Sequence, residues 1–183
     1  MKSTGVHIRT VAASLAIALV LLFGGREVFI RTSVARPLRI ALASMPEITS
    51  HSTEATRKGM VLSLRLEGVN DLEETMKRAS WAASAATKRD DITIRILDSR
   101  DDALREAYHR IHFVIQEAIS TGSFASMESR AQAIAKAAGV SSCRLWVDEE
   151  CVYIALSNGS HELYEVAPRG VRGDVGGGVP ATW

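Results

Sequence analysis

Between Thr10 and Gly25 the chain carries no charged residue, and the run Val11 to Phe23, VAASLAIALVLLF, has no wet face when wound as a helix. Lys2 and Arg9 precede it and Arg26 and Glu27 follow it. At 1.5 Å per residue the uncharged span makes a helix of about 24 Å, short of a hydrocarbon core of about 30 Å. Arg9 and Arg26 can close that gap by snorkelling, with the helix continuing through Val28, Phe29 and Ile30. The expectation is a nine-residue N-terminal flank over 1–9 and a transmembrane anchor over 10–31. A buried helix of a soluble domain fits less well, because the run is apolar all round and stands beside a basic N-terminus.

A secretory signal peptide is the nearer competitor, with Ser33-Val34-Ala35 offering small residues for cleavage. That site lies a dozen residues past Phe23, across Arg26, Glu27 and Arg31, so an uncleaved anchor is favoured. Orientation rests on opposing cues. Arg26, Arg31, Arg36 and Arg39 on the long side outnumber Lys2 and Arg9, which favours a cytoplasmic long side by the positive-inside rule. The signal-like layout favours the reverse, and an extracytoplasmic C-terminal domain is the expectation taken.

Once the anchor is set aside, the 183-residue chain has room for one domain of ordinary size. Lys plus Arg is 22 against 21 for Asp plus Glu, a net +1, which gives no general attraction to nucleic acid. Two cysteines are too few for a disulfide framework. Residues 32–58 read as a juxtamembrane linker broken by Pro37 and Pro46. Within it Leu38, Ile40 and Leu42 alternate like a short strand, and His51 sits in a polar tract where it should be solvated.

The folded unit is expected over 59–167. In MVLSLRLE, Leu62, Leu64 and Leu66 share one face and Val61, Ser63 and Arg65 the other, a strand with one dry side. Asn70 to Glu73 has the form of a capping box, and Leu72, Met76, Ala79, Ala83 and Ala86 follow at helical spacing. A second strand, Asp91 to Leu97, puts Ile92, Ile94 and Ile96 on its dry face. Strand, helix, strand implies parallel pairing. The wet faces argue against a doubly wound nucleotide-binding sheet, and no phosphate-binding glycine motif is present. Ser99 is the expected cap of a long helix with Leu104, Ala107, Tyr108, Ile111, Val114, Ile115 and Ala118 on one face. Thr121-Gly122-Ser123 ends it, and a third helix runs from about Ser126 to Ala138, closed by Gly139. Three strands then form a meander, Ser142–Val147, Cys151–Ser157 and Ser160–Val166, with a tight turn at Asn158-Gly159. The expected class is α+β, a two-layer arrangement of one mixed sheet with helices on one face, in the order β-α-β-α-α-β-β-β. Residues 168–183 form a Gly-rich flexible tail, in which Arg172-Gly173-Asp174 is a chance adhesion tripeptide.

Few residues in this pattern could carry chemistry. His109 and His112 lie i, i+3 on the long helix, but no third local ligand completes a metal site. His161 to Glu165 has Glu where a zinc-protease motif needs its second His, and it stands on a strand. Asp98, Asp101 and Asp102 gather at the C-terminal end of the second strand, a position that could bind a cation, although helix capping explains them as well. No serine elbow, SxxK motif or activated cysteine is present, so no catalytic residue, metal or cofactor is assigned. If Val147 faces Val152, then Trp146, Tyr153 and Tyr164 cross the meander as a row opposite Cys143, Leu145, Val147, Val152, Ile154, Leu156 and Leu163. That row is either half-covered by a neighbouring segment or exposed as a docking stripe, with the open edge of Ser160–Val166 beside it. In this register Cys143 and Cys151 point to opposite sides and do not bridge.

Ala131-x-x-Ile134-Ala135, Gly139-Val140, Leu145-x-Val147 and Tyr153-Ile154-Ala155 together resemble the helix-hairpin module of YhcN/YlaJ-type sporulation lipoproteins. The similarity covers about residues 128–156. It departs from the pattern in lacking a lipobox cysteine and in having Asp148-Glu149-Glu150 at the turn. The resemblance implies an envelope or spore-membrane protein of a spore-forming bacterium, without catalytic residues.

The expected function is that of a single-pass, non-catalytic envelope protein whose domain binds other envelope proteins or itself, with membrane and protein as partners and no nucleic acid. The alternative is an extracytoplasmic small-ligand or cation sensor built on Asp98, Asp101 and Asp102. A hydrolase assembled from residues distant in sequence ranks third.

Overall fold

The computed structural model describes Leu15, residues 36–57 and residues 59–170. The expected anchor over 10–31 lies outside the described residues except for Leu15, and the tail does so from residue 171, the Arg172-Gly173-Asp174 tripeptide included. Among the described residues no helix is long and apolar enough to cross a membrane.

Residues 36–57 of the segment read as a linker belong to the domain, with Leu38, Leu42 and Met45 in its core. Arg36–Leu42 is a helix, α1, rather than a strand. Leu38 and Leu42 are four apart and both buried, with Met45 beside them, whereas Ile40 points out. An apolar residue at every second position over seven residues satisfies either period, and Pro37 in the first turn is compatible with the helix. Ile48–Thr56 is a nine-residue strand, β1, not a polar linker. It pairs antiparallel with β2, Gly59–Leu66, setting His51 against Leu64 and Thr53 against Leu62. Seven of its nine residues are exposed, so its sequence lacks the apolar half that marks a strand. His51 is half-buried, and that burial, followed by the nearby Arg39 charge, lowers its pKa.

Alternation in β2 works as its sequence implies: Met60, Leu62, Leu64 and Leu66 are buried and Arg65 is exposed. Helix α2, Leu72–Thr87, follows, and β3, Ile92–Leu97, returns parallel to β2 with Leu62 beside Ile94 and Leu64 beside Ile96. The helix cap is Asp71, one residue later than expected, whose side chain accepts the N–H of Glu74 at 2.9 Å. Leu72, Met76, Ala79 and Ala83 are buried as the spacing requires, and Thr75 and Ala82 join them.

Helix α3, Asp102–Thr121, is capped by Asp101 rather than Ser99 and ends at Gly122, whose φ of 73° is left-handed. Helix α4, Met127–Ala137, ends before Gly139, which has φ 77°. The meander then forms as β4, Ser142–Val147, β5, Cys151–Asn158, and β6, His161–Pro168. Val147 faces Val152, the register on which the aromatic row is conditional, and the last turn falls on Gly159 and Ser160 between paired Asn158 and His161.

The fold is α+β, but the strands form two sheets rather than one, β1-β2-β3 and β4-β5-β6. With α1 and β1 added, the order is α-β-β-α-β-α-α-β-β-β. Helices do not confine themselves to one face of the strands. One face of the second sheet, with Val152, Ile154, Leu156 and Leu163, packs on α3 and α4. Its other face, with Tyr153, Ala155, Tyr164 and Val166, shares a core with α1, α2 and the first sheet. The meander is therefore covered on both sides, which explains why β5 is buried at five consecutive residues from Val152 to Leu156.

Candidate functional site

The aromatic row does not lie on the surface. Tyr153 is 6 % exposed and Tyr164 2 %, both within the core shared with α2, and Trp146 is half-buried against the same cluster. This corrects the docking-stripe reading. The register sets Trp146 beside Tyr153 but Tyr164 beside Ala155, so the third ring is diagonal to the other two. Both phenols serve internal bonds. Tyr164 Oη accepts the N–H of Val69 at 3.0 Å, and Tyr153 Oη donates to Asp148 Oδ2 at 3.0 Å. Arg144 reaches the carbonyls of Asn70 and Val69 at 2.7 and 2.6 Å while its guanidinium stands 5.5 Å from the Trp146 ring. The row is thus the joint that fastens the loop after β2 to the second sheet. Burial raises the pKa of both tyrosines, with Asp148 adding to the effect at Tyr153 and Glu162 at Tyr164.

The three aspartates do not converge either. Asp98 is engaged on both oxygens: Oδ1 accepts from Arg100 Nε at 2.8 Å, and Oδ2 accepts from Arg100 at 2.7 Å and from the N–H of Tyr164 at 2.9 Å. Asp101 caps α3 through Leu104 N–H at 2.8 Å. Asp102 is almost wholly exposed and pairs with Arg105 at 2.7 Å. Among the described residues no three His, Cys, Asp or Glu side chains are placed to hold a metal ion. In place of the alternative cation site the structure has capping at Asp101 and a stitch at Asp98. Asp98 and Ser99, which accepts the N–H of Glu162 at 3.0 Å, occupy successive outward donors of β6. The N–H groups of Glu162 and Tyr164 on the edge of Ser160–Val166 are therefore taken, where an open edge was expected. His109 and His112 make edge-on ring contacts with Phe113.

What the structure does expose lies between α1 and α2. Ile40 (65 % exposed) and Trp81 (76 %) stand over a groove of about 800 Å³ whose walls include Ala41, Ala82 and Ala85. Arg36 and Arg78 flank it, no acidic side chain lines it, and neither arginine is paired with an acid among the described residues. Small residues on α2 leave the hollow, and the two large side chains form its lips. The signal was present in the sequence: Trp81 falls off the Leu72-Met76-Ala79-Ala83 stripe, so a helix there must present a tryptophan to solvent. Ile40 gave no such signal because its segment read as a strand. A second feature is the outer edge of β1, which among the described residues pairs with β2 alone.

No protein-family model matches this chain, and no curated protein or solved structure matches it with significance.

Proposed function

We propose that this protein is a single-pass membrane-anchored, non-catalytic envelope protein whose α+β domain binds other envelope proteins or further copies of itself. The observation that carries this reading is the contrast between two sheet edges. Side chains of Asp98 and Ser99 occupy the outward N–H groups of Tyr164 and Glu162 on β6, whereas β1 has β2 as its single strand neighbour among the described residues and contains neither lysine nor proline. A long edge of unpaired donors and acceptors is a template for an added strand. The uncharged run from Thr10 to Gly25 supports the anchor. The resemblance of residues 128–156 to the sporulation lipoprotein module supports an envelope setting, with the domain on the extracytoplasmic side. A photocrosslinker at Ser52, on β1, is expected to capture a protein partner in native membranes. Recovery of freely diffusing monomer alone would count against strand pairing. An alkaline phosphatase reporter fused after Trp183 reads the orientation.

A further inference from the structure

The groove between α1 and α2 has apolar lips and cationic flanks, and it begins where the chain arrives from the apolar run. Arg36, the first residue of α1, lines it. Only Thr32 to Ala35 separate that arginine from the expected end of the anchor. Five residue steps from position 31 to position 36 span at most about 18 Å even when fully extended. A domain tethered so closely has this end of α1 within or beside the headgroup layer, whatever the rest of it faces.

The side chains at that end suit such a layer. Trp81 offers a large ring with a polar N–H, the combination favoured at a membrane interface, and Ile40 adds aliphatic surface next to it. Arg36 and Arg78 bring two positive charges with no acid lining the groove to neutralise them. Guanidinium groups bind phosphate in a bidentate manner, and their stems can lie along apolar surface. The chain's near-zero net charge does not oppose this, because the charge that matters is within a Debye length of the lipid surface.

We infer that the α1–α2 groove is a bilayer-docking surface: Trp81 and Ile40 enter the interfacial region of the anchoring membrane while Arg36 and Arg78 bind phosphates of anionic phospholipids. Docking fixes the domain's tilt and leaves β1 to be presented to protein partners. The inference rests on the proposed anchor, and the two are separable by experiment.

The test uses the full chain with Trp146→Phe and Trp183→Phe, so that Trp81 is the sole tryptophan, reconstituted into phosphatidylcholine vesicles with and without phosphatidylglycerol. Circular dichroism confirms that the fold is retained. The expected result is that the protein stays with the vesicles through an alkaline wash, and that Trp81 emission shifts to the blue. Iodide quenching is largely lost, and lipids brominated near the headgroup quench instead. Arg36→Gln and Arg78→Gln each lower the docked-to-undocked ratio on anionic vesicles about fivefold, and much less on neutral ones. Vesicle-bound protein with Trp81 fully open to iodide would overturn the docking surface and leave the anchor standing. Protein washed off the vesicles would overturn the anchor, and the docking inference with it. Trp81 shielded from iodide yet untouched by brominated lipid would assign the groove to a second copy or to the apolar run itself, and would equally overturn the inference.

Discussion

The backbone N–H of Tyr164 donates to Asp98 Oδ2 at 2.9 Å, so a residue just past the last strand of the first sheet completes the hydrogen bonding of the last strand of the second. The same carboxylate holds Arg100, whose other nitrogen reaches Glu165 at 2.8 Å. A carboxylate has about four acceptor positions. Those of Asp98 are taken by two guanidinium contacts, the N–H of Arg100 at 3.3 Å and the N–H of Tyr164. Acidic residues at the C-terminal end of a strand invite a ligand reading; here the lone pairs of Asp98 are consumed within the fold.

If this stitch joins the two halves of the domain, Asp98→Ala should cost about 2–3 kcal/mol, since it leaves the Tyr164 N–H without its acceptor and Arg100 with Glu165 as its one acidic partner. Ser99→Ala, which removes a neutral bond, should cost about 1 kcal/mol. Urea unfolding measures both. Hydrogen exchange gives the sharper check: the amide of Tyr164 should exchange faster in Asp98→Ala and that of Glu162 in Ser99→Ala, while those of β2 hold.

Tyr164→Phe separates a structural aromatic from a docking one. The Val69 N–H is buried and bonds to the phenol, so losing the hydroxyl strands a buried donor at a cost of about 1–2 kcal/mol. Partner capture from Ser52 should be unchanged. Trp81→Ala should do the reverse, shifting stability by no more than about 0.5 kcal/mol because the ring is mostly in solvent.

Much of the fold was legible because amphipathic periodicity reports burial directly. Leu62, Leu64 and Leu66 and the Leu104 to Ala118 stripe follow from spacing alone. Three things were not legible, each for a physical reason. Edge strand β1 buries too little to need apolar alternation, so Ser and Thr disguise it as a linker. Caps shift by a residue or two because Asn70-Asp71 and Ser99-Arg100-Asp101 each contain two competent capping side chains. The fate of the second face of the meander depends on which element packs there. Local sequence contains no information on that, and α2 turned a candidate surface into core.

The two cysteines lie on opposite faces of the second sheet, Cys143 towards α3 and α4 and Cys151 towards α2. Burial, reinforced by Glu128, pushes the Cys143 thiol up to about 11, and burial followed by Asp148 and Glu150 raises that of Cys151. Both should therefore be protonated near pH 8 and react slowly with iodoacetamide in the native protein. Two equivalents of thiol should appear only in urea. Non-reducing electrophoresis should show no intramolecular crosslink.

Among the described glycines, Gly59 is the one whose replacement meets backbone. Its φ is 130°, and a Cβ there would lie 2.2 Å from the carbonyl oxygen of Asp91, which accepts the N–H of Met60. Gly59→Ala must shift either β2 or the entry to β3. The expected loss exceeds about 1 kcal/mol, visible as a lowered melting temperature, whereas Gly68→Ala, with open space around it, should show only the milder penalty of a positive φ.

Asp148 supplies the pH dependence. Its side chain closes the β4–β5 turn by accepting the N–H groups of Glu150 and Cys151 at 2.9 and 2.7 Å, and it also meets Lys77 at 2.9 Å and the Tyr153 hydroxyl. Burial works to raise the carboxyl pKa, but the bonds from Lys77, the two amides and Tyr153 outweigh it and hold the group at about 2, below its ordinary 3.8. A folded-state value below the unfolded one means that the contribution is complete above about pH 4 and is lost as pH falls towards about 2. Asp148→Asn should therefore be less stable than the parent at pH 7, by about 1–2 kcal/mol from the weakened turn and tyrosine bonds. The two proteins should converge as acid neutralises the parent's carboxylate. Asp91 and Glu117, lowered by Arg89 and Arg130, titrate in both proteins, so the difference between the two stability curves isolates Asp148. Parallel curves from pH 7 to pH 2 would show that the turn does not depend on the charge of this side chain.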